Sequence, residues 1–198
     1  DYSFVAEGPR ARGLTTVVVD YALCPWVPLD EIVRQARASV AWVYRHIAEY
    51  GGDPQRILVA GHSAGGHLTA MSLLTPWTAD YGLPDDLVKA AVPISGLFDL
   101  EPLRWSYLQP ELQLTEATVR HQSPVHQLRP VAAEVLVAWG GLESAEFERQ
   151  SCTFADLLQT QGARVQRQAL PGAHHMSVLD GWRDPNSVLC HWMAQALA

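Results

Sequence analysis

Apolar positions along this chain switch between short β-branched runs and stretches with helical spacing. Residues 14–20 (LTTVVVD), 56–60 (RILVA), 88–95 (VKAAVPIS), 134–139 (EVLVAW) and 164–170 (RVQRQAL) read as five strands. The first is apolar on successive residues, which suits a strand covered on both faces of a parallel sheet. Ile32, Ala36, Val40, Val43 and Ile47 recur at helical spacing and predict a helix over 30–50, ended by Gly51-Gly52 and Asp53-Pro54. Residues 64–74, 145–161 and 187–197 read as further helices. Residues 1–12 read as an amphipathic one, with Phe4, Val5 and Gly8 near one face. Residues 96–130 are expected to be irregular, with one short helix near 115–119, and 171–177 to be a loop. Strands alternating with helices imply crossover units, hence an α/β three-layer sandwich on a mostly parallel sheet. The expected organisation is one domain over 1–198, with 96–130 as a cap-like segment.

Composition narrows the function classes. The chain is 48% hydrophobic and 18% charged, which excludes a disordered chain. Fourteen Lys and Arg against 21 Asp and Glu give a net charge of −7. That argues against nucleic acid as a partner, because phosphate binding needs a basic face. The three cysteines, Cys24, Cys152 and Cys190, are far apart and form no C-x-x-C; the expectation is a reducing compartment, the cytoplasm. The apolar run near Val17–Val19 is too short to span a bilayer, so no membrane partner is expected. The chain does not begin with Met and opens on a helical pattern, which reads as the interior of a longer polypeptide.

The strongest chemical signal is Gly61-His62-Ser63-Ala64-Gly65, directly after the strand 56–60 and at the start of a helix. That is the context in which G-x-S-x-G presents a nucleophilic serine. A tight strand-to-helix turn lifts the hydroxyl above the sheet, and glycines at 61 and 65 are expected to relieve collisions there. The Ala64 N–H, at a helix N-terminus, suits an oxyanion. Such a serine needs a base oriented by an acid. In this architecture the chain order is serine, acid, histidine, each after a successive strand. Strand 134–139 leads into Glu143, and strand 164–170 leads into His174-His175. Ser63, Glu143 and His175 follow from that order. Glu146 and Asp99 are alternative acids, and His174 is the alternative base.

GHSAGGHL together with Asp20-Tyr21-Ala22-Leu23-Cys24-Pro25 resembles the α/β-hydrolase superfamily, near the hormone-sensitive-lipase-like esterases. VPISGLFDLEPL (92–103), ESAEFERQS (143–151) and HHMSVLD (174–180) are narrower, and with the first they resemble the kynurenine formamidase (arylformamidase) family. The resemblance implies Ser63 as nucleophile, Glu143 as acid and His175 as base. It implies cleavage of the formyl amide of N-formyl-L-kynurenine to L-kynurenine and formate, in tryptophan breakdown. Members often have Asp where Glu143 stands, and Asn and Phe where His174 and Met176 stand. The family's His-Gly-Gly-x-Trp stretch, which supplies the second oxyanion donor, has no counterpart here. The N-terminal strands are therefore expected to be lacking.

Phe98, Trp105 and Tyr107 are candidates for an aromatic substrate pocket, with packing inside the cap as the competing explanation. No H-E-x-x-H occurs among the eight histidines, so neither catalytic metal nor cofactor is expected. The expected partner is a small aromatic amide or ester, with a homodimer left open. Two rival functions stand beside the formamidase: a carboxylesterase for short acyl esters, and a non-catalytic binding module on the same fold.

Overall fold

The computed structural model describes residues 3–198; the start of the predicted helix 1–12 lies outside them. Four strands form one parallel sheet in the order β1-β2-β3-β4. They are β1 (Ile57–His62), β2 (Val88–Ile94), β3 (Glu134–Gly140) and β4 (Arg164–Leu170). Their sequences match their places. The central strands β2 and β3 are buried almost throughout, whereas the polar run RVQRQAL forms β4 at an edge. On β3, Val135 and Val137 enter one core cluster and Leu136 and Ala138 another, as a two-residue pleat requires.

Eight helices surround the sheet among the described residues: α1 (Glu7–Ala11), α2 (Leu29–His46), α3 (Ala64–Leu73), α4 (Trp77–Tyr81), α5 (Gln109–Leu112), α6 (Glu116–Gln122), α7 (Ala145–Thr160) and α8 (Val188–Ala196). Consecutive strands are neighbours, so right-handed crossovers carry every connection over the same face. That face buries Val40 and Ala41 of α2, Leu73 of α3, and Phe154, Ala155 and Leu158 of α7 against Ile57, Ala91, Val135 and Val137. The opposite face is covered from the two ends of the chain. Val178, Leu179 and Trp182 of a 3-10 turn, with Leu189, Trp192 and Met193 of α8, pack on Ala90, Val92, Ile94 and Leu136. Phe4, Val5 and Leu14 join them. The result is three layers, as the strand-helix alternation implies.

The predicted strand 14–20 is a departure. The segment has no regular structure, and Val17, Val18 and Val19 are 44%, 48% and 40% exposed. A β-branched run becomes a strand only by pairing, and no described segment pairs with it. The segment 96–130 departs the other way. It contains α5, α6 and the 3-10 turns Glu101–Trp105 and Pro124–His126, where a single short helix is predicted. Short turns of this kind lack the long apolar periodicity by which helices are read. The three cysteines are unpaired. No helix among the described residues is long and apolar enough to cross a membrane.

Candidate active site

β1 ends at His62, α3 begins at Ala64, and Ser63 between them has φ 58° and ψ −115°. A non-glycine residue in that region is strained and persists only where its surroundings over-determine it. Here the Ser63 N–H donates to Ile94 O (2.9 Å), while Ser63 O accepts from His67 N (3.1 Å). Gly61 is required: a Cβ there would lie 2.4 Å from Gly65 O. Gly65, contrary to the expectation from the motif, has open space where a Cβ would go. The second demanding position is Gly66, whose Cβ would meet Gly96 Cα and Ile94 O at 2.8 Å as α3 crosses β2. Gly66→Ala is therefore expected to destabilise the fold by about 1–3 kcal/mol through overpacking. Gly65→Ala is expected to be neutral or to gain up to about 1 kcal/mol from helix propensity. Denaturant midpoints of the two variants check this.

The exits of β3 and β4 are tied to each other. Gly141 N–H donates to Leu170 O and Leu142 N–H to Ala173 O, both at 2.9 Å. A Cβ on Gly140 would sit 2.5 Å from Ala173 O, so glycine permits this close approach. The turn places the Glu143 carboxylate, only 1% exposed, beneath His175. Glu143 Oε2 accepts from Gly140 N–H (2.6 Å) and Ser95 Oγ (2.7 Å), and Oε1 pairs with His175 Nδ1. Ser95 is itself held at φ 47°. With the carboxylate accepting at Nδ1, the lone pair of Nε2 faces Ser63 Oγ at 3.0 Å. The His175 ring lies between His62 (centroids 4.4 Å apart) and Phe147 (4.7 Å).

The alternative candidates are elsewhere. Glu146 pairs with Arg149 and Gln150 on α7, and Arg149 holds its carboxyl below the usual range. Asp99 Oδ1 accepts from Glu101 N–H, bracing the loop after β2. His174 is exposed, and its Nδ1 accepts from the Met176 and Ser177 N–H groups in its own turn. Ala64 is exposed at the first position of α3, where its N–H has no intrahelical acceptor.

A family model described as alpha/beta hydrolase fold matches residues 3–179. The chain belongs to the α/β-hydrolase fold family. Within that family it is 32% identical over 191 residues to a kynurenine formamidase of Danio rerio, covering 94% of this chain and 63% of that protein. It is also 31% identical to the probable carboxylic ester hydrolase LipM of Mycobacterium tuberculosis, covering 82% of this chain and 42% of that one. A Pyrobaculum calidifontis esterase superposes with a TM-score of 0.76 at 24% identity, covering 98% of this chain and 70% of that chain. The chain spans about three-fifths of the length of the curated formamidases it matches.

In this α/β-hydrolase the predicted aromatic pocket does not assemble as a unit. Phe98 is fully buried and stacks on Phe154 (4.2 Å, 9°), so it is core and not a surface for substrate. Trp105 and Tyr107 are 78% and 89% exposed. The Trp105 Nε1–H donates to Glu101 Oε1 (3.2 Å), and the Arg104 guanidinium lies over its ring.

Two histidines of this α/β-hydrolase-fold chain are held neutral. Burial, with His175 alongside, pushes His62 down to about 4. Burial likewise pushes His67 to about 4, and its Nε2 donates to Gln122 O at 2.7 Å, tying α3 to α6. The role of His62 beside His175 has no signature in the motif, since 113 positions separate the two. Both folded pKa values lie below the ordinary 6.5, so the unfolded chain binds protons first as pH falls. Their stabilising effect is complete above about pH 6.5 and is lost as pH falls through about 4. Each group withdraws up to about 1.4 kcal/mol per pH unit in that window. Denaturant midpoints between pH 7 and 4 are expected to fall accordingly, and less steeply for His67→Gln. An unchanged slope in that variant would remove His67 as a cause.

Proposed function

We propose that this chain carries the catalytic centre of a serine hydrolase that cleaves the formyl amide of N-formyl-L-kynurenine, giving L-kynurenine and formate. The observation that carries the hydrolase reading is the continuous contact from Ser63 Oγ to His175 to Glu143. His175 Nε2 removes the Ser63 proton as the oxygen attacks the formyl carbon. Glu143 holds the imidazole in the needed tautomer and stabilises the imidazolium. The Ala64 N–H, at the positive end of α3, donates to the oxyanion. His175 then protonates the departing aryl amine, and water hydrolyses the formyl-serine with the same base.

The formyl amide is supported by the kynurenine formamidase relatives, matched over 94% and 89% of this chain in two fishes. The exposed rings of Trp105 and Tyr107, on the segment after β2, are the proposed contacts for the aryl group, with that segment as cap. A second reading, hydrolysis of short acyl esters, is favoured by the likeness to LipM. The deciding experiment compares turnover of N-formyl-L-kynurenine and p-nitrophenyl acetate. It uses this chain and a longer one carrying an upstream His-Gly-Gly-x-Trp stretch. A strong preference for the formyl amide is expected. Ester turnover alone would replace the formamidase by the esterase, and failure of an activated fluorophosphonate to label Ser63 would overturn both.

A further inference from the structure

His62 takes no part in the proton relay, yet its ring packs against the base. Its Nε2 is buried and has no hydrogen-bond partner among the described residues. An unmade bond at a buried nitrogen costs about 1–3 kcal/mol, so this atom gains from any partner that takes its lone pair. One donor atom from each of His62, Glu143 and His175 lies within 4.8 Å of the other two. The three come from the end of β1, the turn after β3 and the loop after β4, so the parallel sheet itself brings them together. Two imidazoles and one carboxylate are the donor set that zinc, copper and cobalt accept. Donors around tetrahedral zinc stand about 3.3 Å apart, given bonds of about 2.0–2.1 Å, so small ring rotations close the set.

We propose that His62, His175 and Glu143 form an inhibitory site for a divalent transition-metal ion, Zn²⁺ above all, overlapping the serine relay. The inhibition, though not the binding, rests on the hydrolase reading. A metal on Nε2 of His175 takes the lone pair that would receive the Ser63 proton. A metal on Nδ1 takes the lone pair of that nitrogen, so the ring's one proton moves from Nδ1 to Nε2, which can then no longer accept from Ser63. Either way the base is lost, and water fills the remaining coordination positions. Ser63 supplies no ligand.

Co²⁺ separates binding from catalysis, because in an open nitrogen and oxygen site of four or five ligands it absorbs in the visible. The wild-type chain and Ser63→Ala are both expected to bind one Co²⁺ with visible bands that Zn²⁺ abolishes. His62→Phe keeps a ring against His175 but removes the donor. It is expected to weaken Co²⁺ binding at least about tenfold, the lower end of what loss of a supporting partner causes. The Zn²⁺ concentration that halves hydrolysis, referred to each variant's own metal-free rate, should rise by the same factor. Absence of the bands overturns the site. Equal bands or equal Zn²⁺ sensitivity in His62→Phe also overturn it, showing an adventitious ion only. Co²⁺ binding without hydrolysis, both by this chain and by the longer one carrying the upstream His-Gly-Gly-x-Trp stretch, overturns the hydrolase reading and leaves the metal site standing.

Discussion

Ser63→Ala is expected to reduce hydrolysis by at least about 10⁴-fold, because loss of the nucleophile removes the covalent route and leaves only binding and oxyanion stabilisation. The fold is expected to survive. Ser63 Oγ is hydrogen-bonded to His175, and the backbone bonds from Ser63 N to Ile94 O and from His67 N to Ser63 O do not involve the side chain. The backbone at φ 58° is strained for any residue with a Cβ, so alanine inherits the strain unchanged. Glycine does not, and Ser63→Gly is expected to be about 1–3 kcal/mol more stable than wild type, less the entropy of the freed backbone, while equally inactive. Activity and denaturant midpoint measured on the same three proteins check both halves. Turnover in Ser63→Ala within tenfold of wild type would sink the assignment of the nucleophile. A Ser63→Gly variant less stable than Ser63→Ala would show that the elbow is not strained.

The pairing of strain with chemistry explains which parts of this site were legible in the sequence. Gly61-His62-Ser63-Ala64-Gly65 is readable because a strand, a forced turn and a helix follow one another without a gap. The order of acid and histidine is readable because each stands just beyond a run that reads as a strand, EVLVAW for Glu143 and RVQRQAL for His175. The choice between neighbours is not. Glu143 and Glu146 differ by three positions, and what separates them is the Gly140–Glu143 turn and Ser95, 48 positions from Glu143. His62 is named by the motif only as its variable residue; the ring contact that gives it interest crosses the whole chain.

The fold shows the same division. The central strands β2 and β3 were marked by their residues, because burial on two faces demands apolar side chains at nearly every position, whereas β4 was read from a mixed run that suits an edge. Residues 14–20 carry the same mark without the same outcome, since composition records a preference for pairing and not a partner. Gly65 and Gly66 are indistinguishable in sequence. Only the passage of α3 over Ile94 and Gly96 makes the second the tight one. Phe98 reads equally well as pocket or core, and its stacking on Phe154 of α7 decides for core.

Glu143→Gln is the second large effect. Its carboxylate sits almost fully shielded from water and is surrounded by donors: Ser95 Oγ, Gly140 N–H and His175 Nδ1. An amide in that place has one acceptor oxygen for three donors, and its NH₂ confronts at least one of them. If the NH₂ faces His175, Nδ1 must become the acceptor, the proton moves to Nε2, and the base can no longer take the proton of Ser63. A change of tautomer of this kind lowers turnover by about 10⁴-fold. Glu146→Gln loses a surface ion pair with Arg149 and keeps an amide oxygen that can accept from Gln150 Nε2, which is expected to leave turnover within about twofold and stability within about 1 kcal/mol. Ser95→Ala probes the same carboxylate from the other side: it removes one of its donors and should lower turnover by less than Glu143→Gln does. Rates at saturating substrate across pH 6–9 separate the variants. Equal losses for Glu143→Gln and Glu146→Gln would remove Glu143 from the relay. A recovery of Glu143→Gln at high pH would point to a proton that the wrong tautomer holds and hydroxide can take.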